Sequence, residues 1–543
     1  MPADTPAAAP RPSWPERTFG IDLRSLAVFR IGLGLLILLD LFGRAQTLRE
    51  HYTGVGAFPR ALAAEYTYDL PLFRIFLWSD APGVQAALFA VFALLAALLV
   101  LGWRTRLVSV LVFCFLASLV RRNHFVCHTG DTWLKALTFW AMFLPLGARW
   151  SLDARAGRGA TSGPRQLDLA TFGVVLQIVL FYWGAGFLKS NYGVWQRGEA
   201  VWIFTHVVEY TRPFGAWLGG FPALCSLLTR ATLVLEIGAV FLILFPFAQA
   251  RVRTLLWFVL AGFHLTLWAT IHIGIFQLVC IVANTLLLPS AVWDALARRW
   301  PRLAAAAPRP SQPPRFEAWT KRIYRASQAL LVPVLVVVLV SNANTSAKAV
   351  LGKAYERDHP GLLRLPRIAE DLGRQTSMLQ NWNMFTDLEN LTFGWFLVLG
   401  QQEDGTVVDV LAAEPFRALE YPRHYARFFP NHNSRRYWRE LTLPDREFLQ
   451  KPMCDWLARE WQAAGRPPLT HLALFHVGRK PLTMREFDLV RPIATQWEAE
   501  HAPLRELAPE QRELWLARRT RWQAFLDGLP KRVPLADPTE AGR

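Results

Sequence analysis

Long apolar runs alternate along this chain with short, mostly basic connectors, and a helix of about 20 apolar residues is what a bilayer core of about 30 Å requires. The pattern predicts nine spans: about 23–42, 84–102, 107–120, a fourth ending near Leu146, 169–188, 224–245, 252–270, 273–288 and 326–340. The second and third are joined by the basic turn Trp103-Arg-Thr-Arg106, which makes them a tight antiparallel pair. Two aromatic-rich amphipathic stretches, 43–80 (with Tyr52, Phe58, Tyr66, Tyr68, Phe73 and Trp78) and 195–221, read as elements lying on the membrane surface. Beyond about Asn342 hydropathy falls. There Phe393 to Gly400, a Gln-Glu-Asp404-Gly405 turn and Thr406 onward signal a β-hairpin, Leu472 to Val477 a further strand, and 445–464 and 509–526 helices. The expected architecture is an α-helical polytopic membrane bundle followed by a soluble α/β C-terminal domain, divided as a disordered tail over 1–20, a transmembrane helical domain over 21–345 and a soluble extracytoplasmic domain over 346–543.

Composition supports that class: 543 residues are 52% hydrophobic and 13% aromatic, and the first 15 are Pro/Ala-rich without the basic start and apolar core of a cleavable signal. The formal net charge of +17 would suggest nucleic acid in a soluble protein, but here much of it lies between spans and reports orientation. With the N-terminus in the cytoplasm, the inner loops hold Arg104 and Arg106, then Arg149, Arg155, Arg158 and Arg165, then Arg251 and Arg253, then the run from Arg298 to Arg325. Nine spans leave the end carrying His124, Lys189 and the C-terminal domain on the outer face. Five cysteines show no CxxC or paired spacing, so no zinc site follows, and a Cys127–Cys225 disulfide is only an open option. No phosphate-cradling GxGxxG is present.

Ionisable residues inside spans are costly and mark sites or buried pairs. Lys189 closes the fifth span just before Trp195, where desolvation disfavours the ammonium and a general base can form; a snorkelling helix-end lysine is the plain alternative. Asn123, His124 and His128 crowd one helix end with Asp131 and Lys135, whose i,i+4 spacing also suits a capped helix with a local ion pair. His264 and His272 would share a face if one helix ran through both, and both also read as bundle histidines. Arg30 and Glu236 read as a buried ion pair fixing two helices. The Asn123 to His128 end, Lys189 and the turn near Ile271 are expected to converge on one outer pocket.

At Asn123-His124, Trp150-Ser-Leu-Asp153, Lys189 with Trp195 and Gly198, Leu235-Glu236-Ile-Gly-Ala239-Val-Phe241-Leu, and Phe263-His264 with Ile273-Gly274-Ile-Phe276, the chain resembles the vitamin K-dependent gamma-carboxylase family and its bacterial relatives with a horizontally transferred transmembrane (HTTM) domain. The soluble part resembles bacterial HTTM proteins at Gln380-Asn-Trp382-Asn-Met384-Phe385 and Gly394-Trp395. The resemblance implies a bacterial inner-membrane enzyme that uses reduced vitamin K or another quinol, oxygen and carbon dioxide, with no metal. In that family a lysine deprotonates the hydroquinone, oxygen adds, the resulting base removes a glutamate γ-proton, carbon dioxide traps the carbanion and the quinone leaves as epoxide. It implies Lys189 and His264 as catalytic, and Asn123, His124, His128, Trp195 and His272 as substrate-binding. The animal enzymes carry two adjacent lysines, the second being the base. Here there is one, at the first of those positions, so either the register shifts or that base is missing and Lys135 beside Asp131 is the reserve. No propeptide-binding signature is recognisable, so these residues do not support a glutamyl protein substrate, and a peptide or protein substrate on the extracytoplasmic side stands only as an option. Two further readings stand beside this one: a quinone-dependent redox or lipid-modifying enzyme without glutamate carboxylation, and a non-enzymatic transporter or assembly scaffold, against which the absence of an internal repeat counts.

Overall fold

The structure is a computed structural model that describes residues 13–65, 73–158, 163–207, 209–245, 247–304, 317–358, 365–379, 382–388, 393–417, 429–479, 486–498, 509–530 and 532–534. Much of the expected N-terminal tail, parts of the linkers, Tyr66, Tyr68 and the Gln380-Asn381 pair lie outside the described residues.

The bundle is built from α1 (Leu23–Ala45), α2 (Pro82–Leu101), α3 (Thr105–Arg122), α4 (Thr129–Ala141), α5 (Leu169–Ser190), α6 (Pro222–Leu233, continued as a π turn Val234–Gly238 and a 3-10 turn Ala239–Leu244), α7 (Gln249–Thr270), α8 (Phe276–Asn284), α9 (Ser290–Arg299) and α10 (Glu317–Asp358). Asp22 caps α1 by accepting from Arg24 N at 2.8 Å, and Asp168 caps α5 through Thr171 N at 3.0 Å. α2 stops at Gly102, whose φ of 68° and contact with the Arg30 guanidinium leave no room for a Cβ.

Nine spans is corrected to six. Among the described residues α1, α2, α5, α6, α7 and the 322–347 part of α10 are long and apolar enough to cross a membrane, and a seventh results only if α8 with its 3-10 extension and α9, bent by 92°, count as one. The three overcounted runs differ for physical reasons. α3 is closed at both ends by arginines, Arg106, Arg121 and Arg122, so its uncharged stretch is short. α4 has 13 residues, about 20 Å of helix at 1.5 Å per residue, and is instead a core helix with Trp133, Leu134, Leu137 and Trp140 buried. α8 turns sharply at Pro289.

The bundle has two chemically distinct ends. At one, β1 (Ile21–Asp22) pairs antiparallel with β2 (Arg165–Gln166), Asp153 accepts from Arg104 N (3.0 Å) and Thr105 N (2.7 Å), and Arg253 donates to Arg17 O and Thr18 O, both at 3.1 Å. This is the arginine-rich end. Arg30 belongs to it: its guanidinium donates to the carbonyls of Trp150 (2.6 Å), Leu146 (2.9 Å), Arg149 (3.1 Å) and Val100 (3.3 Å). The expected Arg30–Glu236 pair is therefore absent, because helix-end carbonyls satisfy the arginine.

At the opposite end sits the C-terminal domain. Its six-stranded antiparallel sheet runs β5 (Glu414–Pro415), β4 (Val407–Asp409), β3 (Phe393–Gln402), β6 (Leu469–Arg479), β7 (Glu486–Glu498), β8 (Arg532–Pro534), with Leu399 opposite Asp409 and Phe396 opposite His476. The β3–β4 hairpin turns at Gly405, the strand at 472–477 lies inside β6, and the two expected helices appear as α12 (Gln450–Ala463) and α13 (Pro509–Asp527). A short helix that the hydropathy pattern does not reveal, α11 (His432–Glu440), is the docking element. Asn431 donates to Gly43 O (2.8 Å), Asn433 to Val126 O (3.0 Å), Tyr437 to Ala57 O (3.0 Å), Arg435 to His272 O (2.7 Å) and Arg439 to Tyr210 OH (3.0 Å). Four of these bonds satisfy carbonyls in the last turn of the first helix and in the connectors, and the fifth holds the Tyr210 hydroxyl.

Buried under α11, Glu50 takes a hydrogen bond from Ser434 at 3.3 Å and lies 3.3 Å from the His51 ring. Burial pushes its carboxyl up to about 8, the Ser434 hydroxyl opposing weakly and Glu460 adding to the rise. Between the ordinary carboxylate value and about 8 the folded chain therefore holds a proton that the unfolded chain has lost, and stability falls as pH rises through that window. His272, lowered to about 4 by partial desolvation and by Arg435, acts oppositely on the acid side, since the unfolded chain gains its proton first, and its exposure to solvent keeps that effect small. Glu50→Gln is expected to remove the alkaline decline and keep the acid one, raising the melting temperature by a few degrees at the alkaline end. Thermal unfolding of detergent-solubilised protein from about pH 5 to about pH 9 measures it; parallel curves for the two proteins would show that Glu50 does not titrate there.

Candidate functional site

At the end of α5 that faces the C-terminal domain, Lys189 does not stand alone. Its Nζ donates to Glu236 Oε2 at 2.6 Å and Oε1 at 2.7 Å, and both side chains are 5% exposed. Glu236 reaches it because α6 loosens into the π turn, which projects one residue further round the helix than an α turn does. Gly186 on α5 permits the approach, since a Cβ there would lie 2.6 Å from that of Glu236. The Lys189 ammonium also lies 5.3 Å from the centre of the Trp195 ring.

The pair opens onto a cavity of about 360 Å³, within the range of small-molecule sites. α5 contributes Phe181 and Tyr182, α6 Leu235, α7 Phe263 and His264, and the surface segment after α5 Trp195 and Phe204. The lining is almost wholly apolar apart from Lys189, Glu236, His264, Tyr182 and a few threonines. His264 Nε2 and Tyr182 OH are 2.7 Å apart, and Asn284 Nδ2 on α8 donates to the same phenol at 2.8 Å. With the amide donating, the arrangement that also uses the phenol hydrogen has Tyr182 donating its hydrogen bond to Nε2, which puts the His264 hydrogen on Nδ1. That nitrogen is buried and has no protein partner among the described residues, which leaves it free for a ligand oxygen.

The remaining wall comes from the C-terminal part. Met384 and Phe385 line the cavity, Trp195 Nε1 donates to Phe385 O at 2.8 Å, and Trp382 packs edge-on against Trp133 and Phe181. Phe385 has φ 57°, a left-handed conformation that a bulky side chain rarely adopts unless its surroundings impose it.

The other sequence candidates gather elsewhere. Asn123 caps the 3-10 turn His124–Val126 and donates to His51 O at 3.2 Å, and His124 lies at the surface with its ring 3.8 Å from that of Phe125. His128 caps α4 through Gly130 N and stands 4.8 Å from the His432 ring, while Arg435 reaches both His432 Nδ1 (2.8 Å) and His272 Nδ1 (3.3 Å). The expected Asp131–Lys135 pair is corrected: Asp131 binds Arg44, which also holds Asp40 at 2.7 Å and the Tyr52 hydroxyl at 2.7 Å, while Lys135 Nζ points to Arg374 O at 3.4 Å. α7 ends at Thr270 and Ile271 is extended, so His264 and His272 do not share a helix face. Cys127 and Cys225 are free thiols. Sequence reasoning misses Tyr182 and Asn284 because neutral polar residues inside apolar spans carry no charge signal, and it misses Arg44 because that arginine lies just past the first predicted span.

Removing one partner of a buried pair strands the other charge, so Glu236→Leu is expected to destabilise the protein by about 3–5 kcal/mol. Lys189→Met combined with Glu236→Leu should recover most of that loss. A double-mutant cycle by thermal unfolding tests it, and additive losses would mean the two side chains are not coupled.

The HTTM domain family matches residues 20–293. No curated protein and no solved structure matches the chain.

Proposed function

Since the chain belongs to the HTTM domain family, a domain found in vitamin K-dependent carboxylase-related membrane proteins, and its apolar helices make it an integral membrane protein, we propose that it is a membrane enzyme that binds a quinol in the Lys189–His264 cavity and couples its oxygenation to proton abstraction and carboxylation. The observation that carries this reading is one apolar cavity holding a paired acid and base, Lys189 and Glu236, beside an imidazole with a spare donor. A flat, largely apolar ring with an oxygen at each end fits such a lining.

When bound, the quinol supplies the oxidisable ring whose reaction with oxygen provides the strong base, with carbon dioxide as the group transferred. The protein's part is proton placement. Lys189 Nζ as an ammonium cannot accept a proton, but transfer to Glu236 Oε2, 2.6 Å away, leaves a neutral amine and a carboxylic acid. The amine can then take a hydroxyl proton, and the dry lining makes the neutral form of the pair accessible by stripping both charges of water. His264 Nδ1 would hold a ligand oxygen, oriented through Tyr182 and Asn284. Trp195 and Phe385 exclude water from the side of the C-terminal domain. The arginine-rich end opposite that domain supports a cytoplasmic N-terminus and a periplasmic C-terminal domain in a bacterial inner membrane. A peptide or protein substrate would approach from the same periplasmic side.

The single lysine favours a second reading. Since the animal enzymes carry two, a quinone-dependent redox or lipid-modifying reaction without glutamate carboxylation would use the same cavity and pair.

Detergent-purified protein given a vitamin K hydroquinone and oxygen should form epoxide, and Lys189→Ala should lower the rate by about 10²–10⁴-fold, the usual contribution of a general base. Glu236→Gln should be impaired similarly. Wild type and Lys189→Ala equally inert would overturn the reading, whereas epoxide without labelled carbon dioxide in any peptide would select the second one.

A further inference from the structure

The cavity is not closed toward the lipid. Ala231 on α6 and Thr266 on α7 both line it and both are exposed, and Val259 on α7, another lining residue, is 45% exposed. A residue that borders a cavity and the outer surface at once marks a mouth. α6 and α7 follow one another in the chain and meet at the 3-10 end of α6, Ala239–Leu244, but before that turn Pro222–Leu233 and the π turn pack against α5 and the surface segment, and α7 against α8 and the surface segment. The mouth is the seam between them. The π turn of α6 sets its depth, because Glu236 turns inward there while a Cβ on Gly238 would meet nothing within 4 Å. Side chains beside the seam are apolar and face outward: Leu227 is 62% exposed and Phe258 61%. Such a rim disfavours a water-borne polar ligand and suits a hydrocarbon chain.

We propose that this seam is a lateral portal, and that the ligand is a lipid whose ring-bearing head fills the cavity while one long hydrocarbon tail runs between α6 and α7 into the bilayer. The head's identity as a quinol rests on the function proposed above; the tail and its route do not. Closing the seam must then discriminate by tail, since a head alone passes where a head with a permanently threaded chain cannot fit.

The test uses the full chain in detergent and four probes: a naphthoquinone with and without a long prenyl chain, and a phenol with and without a long alkyl chain. Ala231→Trp and Val259→Trp fill the seam, and Leu227→Trp adds the same bulk outside the cavity. Overpacking a fitted channel typically costs enough to weaken binding about tenfold, so the tailed probes should lose about that factor in both seam variants. Tail-less probes should lose clearly less than that factor, since only the edge of the head cavity is filled, and Leu227→Trp, at a residue that does not line the cavity, should behave as wild type. Equal effects on tailed and tail-less probes, or none, overturn the portal. If the phenols show the tail-dependent loss and no quinone binds, the portal stands and the quinol reading falls. If quinones of both kinds bind alike in every variant, the quinol reading stands and the portal falls. No binding by any probe removes both.

Discussion

The Lys189–Glu236 contact is the constraint from which the site follows. Neither charge is tolerable alone at 5% exposure in an apolar wall, and together they tie the end of α5 to the middle of α6. That tie is possible only because α6 abandons regular α geometry for a π turn and because position 186 is glycine. The departure from regular helix is thus the local consequence of putting a carboxylate within 2.6 Å of an amine, and the same turn sets the depth of the seam proposed between α6 and α7. Chemistry and access share one structural cause.

A second dependence runs through the C-terminal domain. The bundle does not enclose the cavity unaided, since Met384 and Phe385 complete it and Trp382 is buried between Trp133 and Phe181. That segment is held in place from two sides: Trp195 binds the Phe385 carbonyl, and α11 anchors the domain on Gly43, Ala57, Val126 and His272. The left-handed backbone at Phe385 is the mark of that double restraint. A contact made far out on α11 therefore bears on the shape of the pocket around Lys189, and the C-terminal part belongs to the cavity wall rather than being an appendage to it.

Hydrophobic runs reveal the six long helices and the β3–β4 hairpin because both depend on local period and turn chemistry. They overcount spans where a run is short and buried, as in α4, since burial inside a bundle and burial in lipid select the same residues. Lys189 and His264 stand out because charge and imidazole are rare within spans. Their partners do not. Glu236 is visible, but a reading of the sequence pairs it with Arg30, because nothing in a sequence tells which of two cations lies at its end of the bundle; Arg30 lies at the basic end among carbonyls, and Lys189 at the other. Helical spacing gives Asp131 to Lys135, whereas Arg44, 87 positions away, holds it. Long-range pairing of polar groups is decided by tertiary geometry that no local period encodes.

The single lysine is less of an obstacle once its carboxylate is in view. A lone buried lysine must lose its proton to water or to nothing; one bonded through both oxygens of Glu236 has an acceptor in place, and in the proposed reaction the proton would move within the pair without any net charge leaving the cavity. The cost of creating the free amine is then set by the difference between two internal forms of one pair, a smaller quantity in a dry site than the cost of moving a charge out of it. By the same reasoning the His264, Tyr182 and Asn284 chain need not ionise at all, since passing hydrogen bonds between neutral groups fixes the tautomer on its own. The cavity thus holds two devices that differ in kind: one that can exchange a proton and one that holds a donor still.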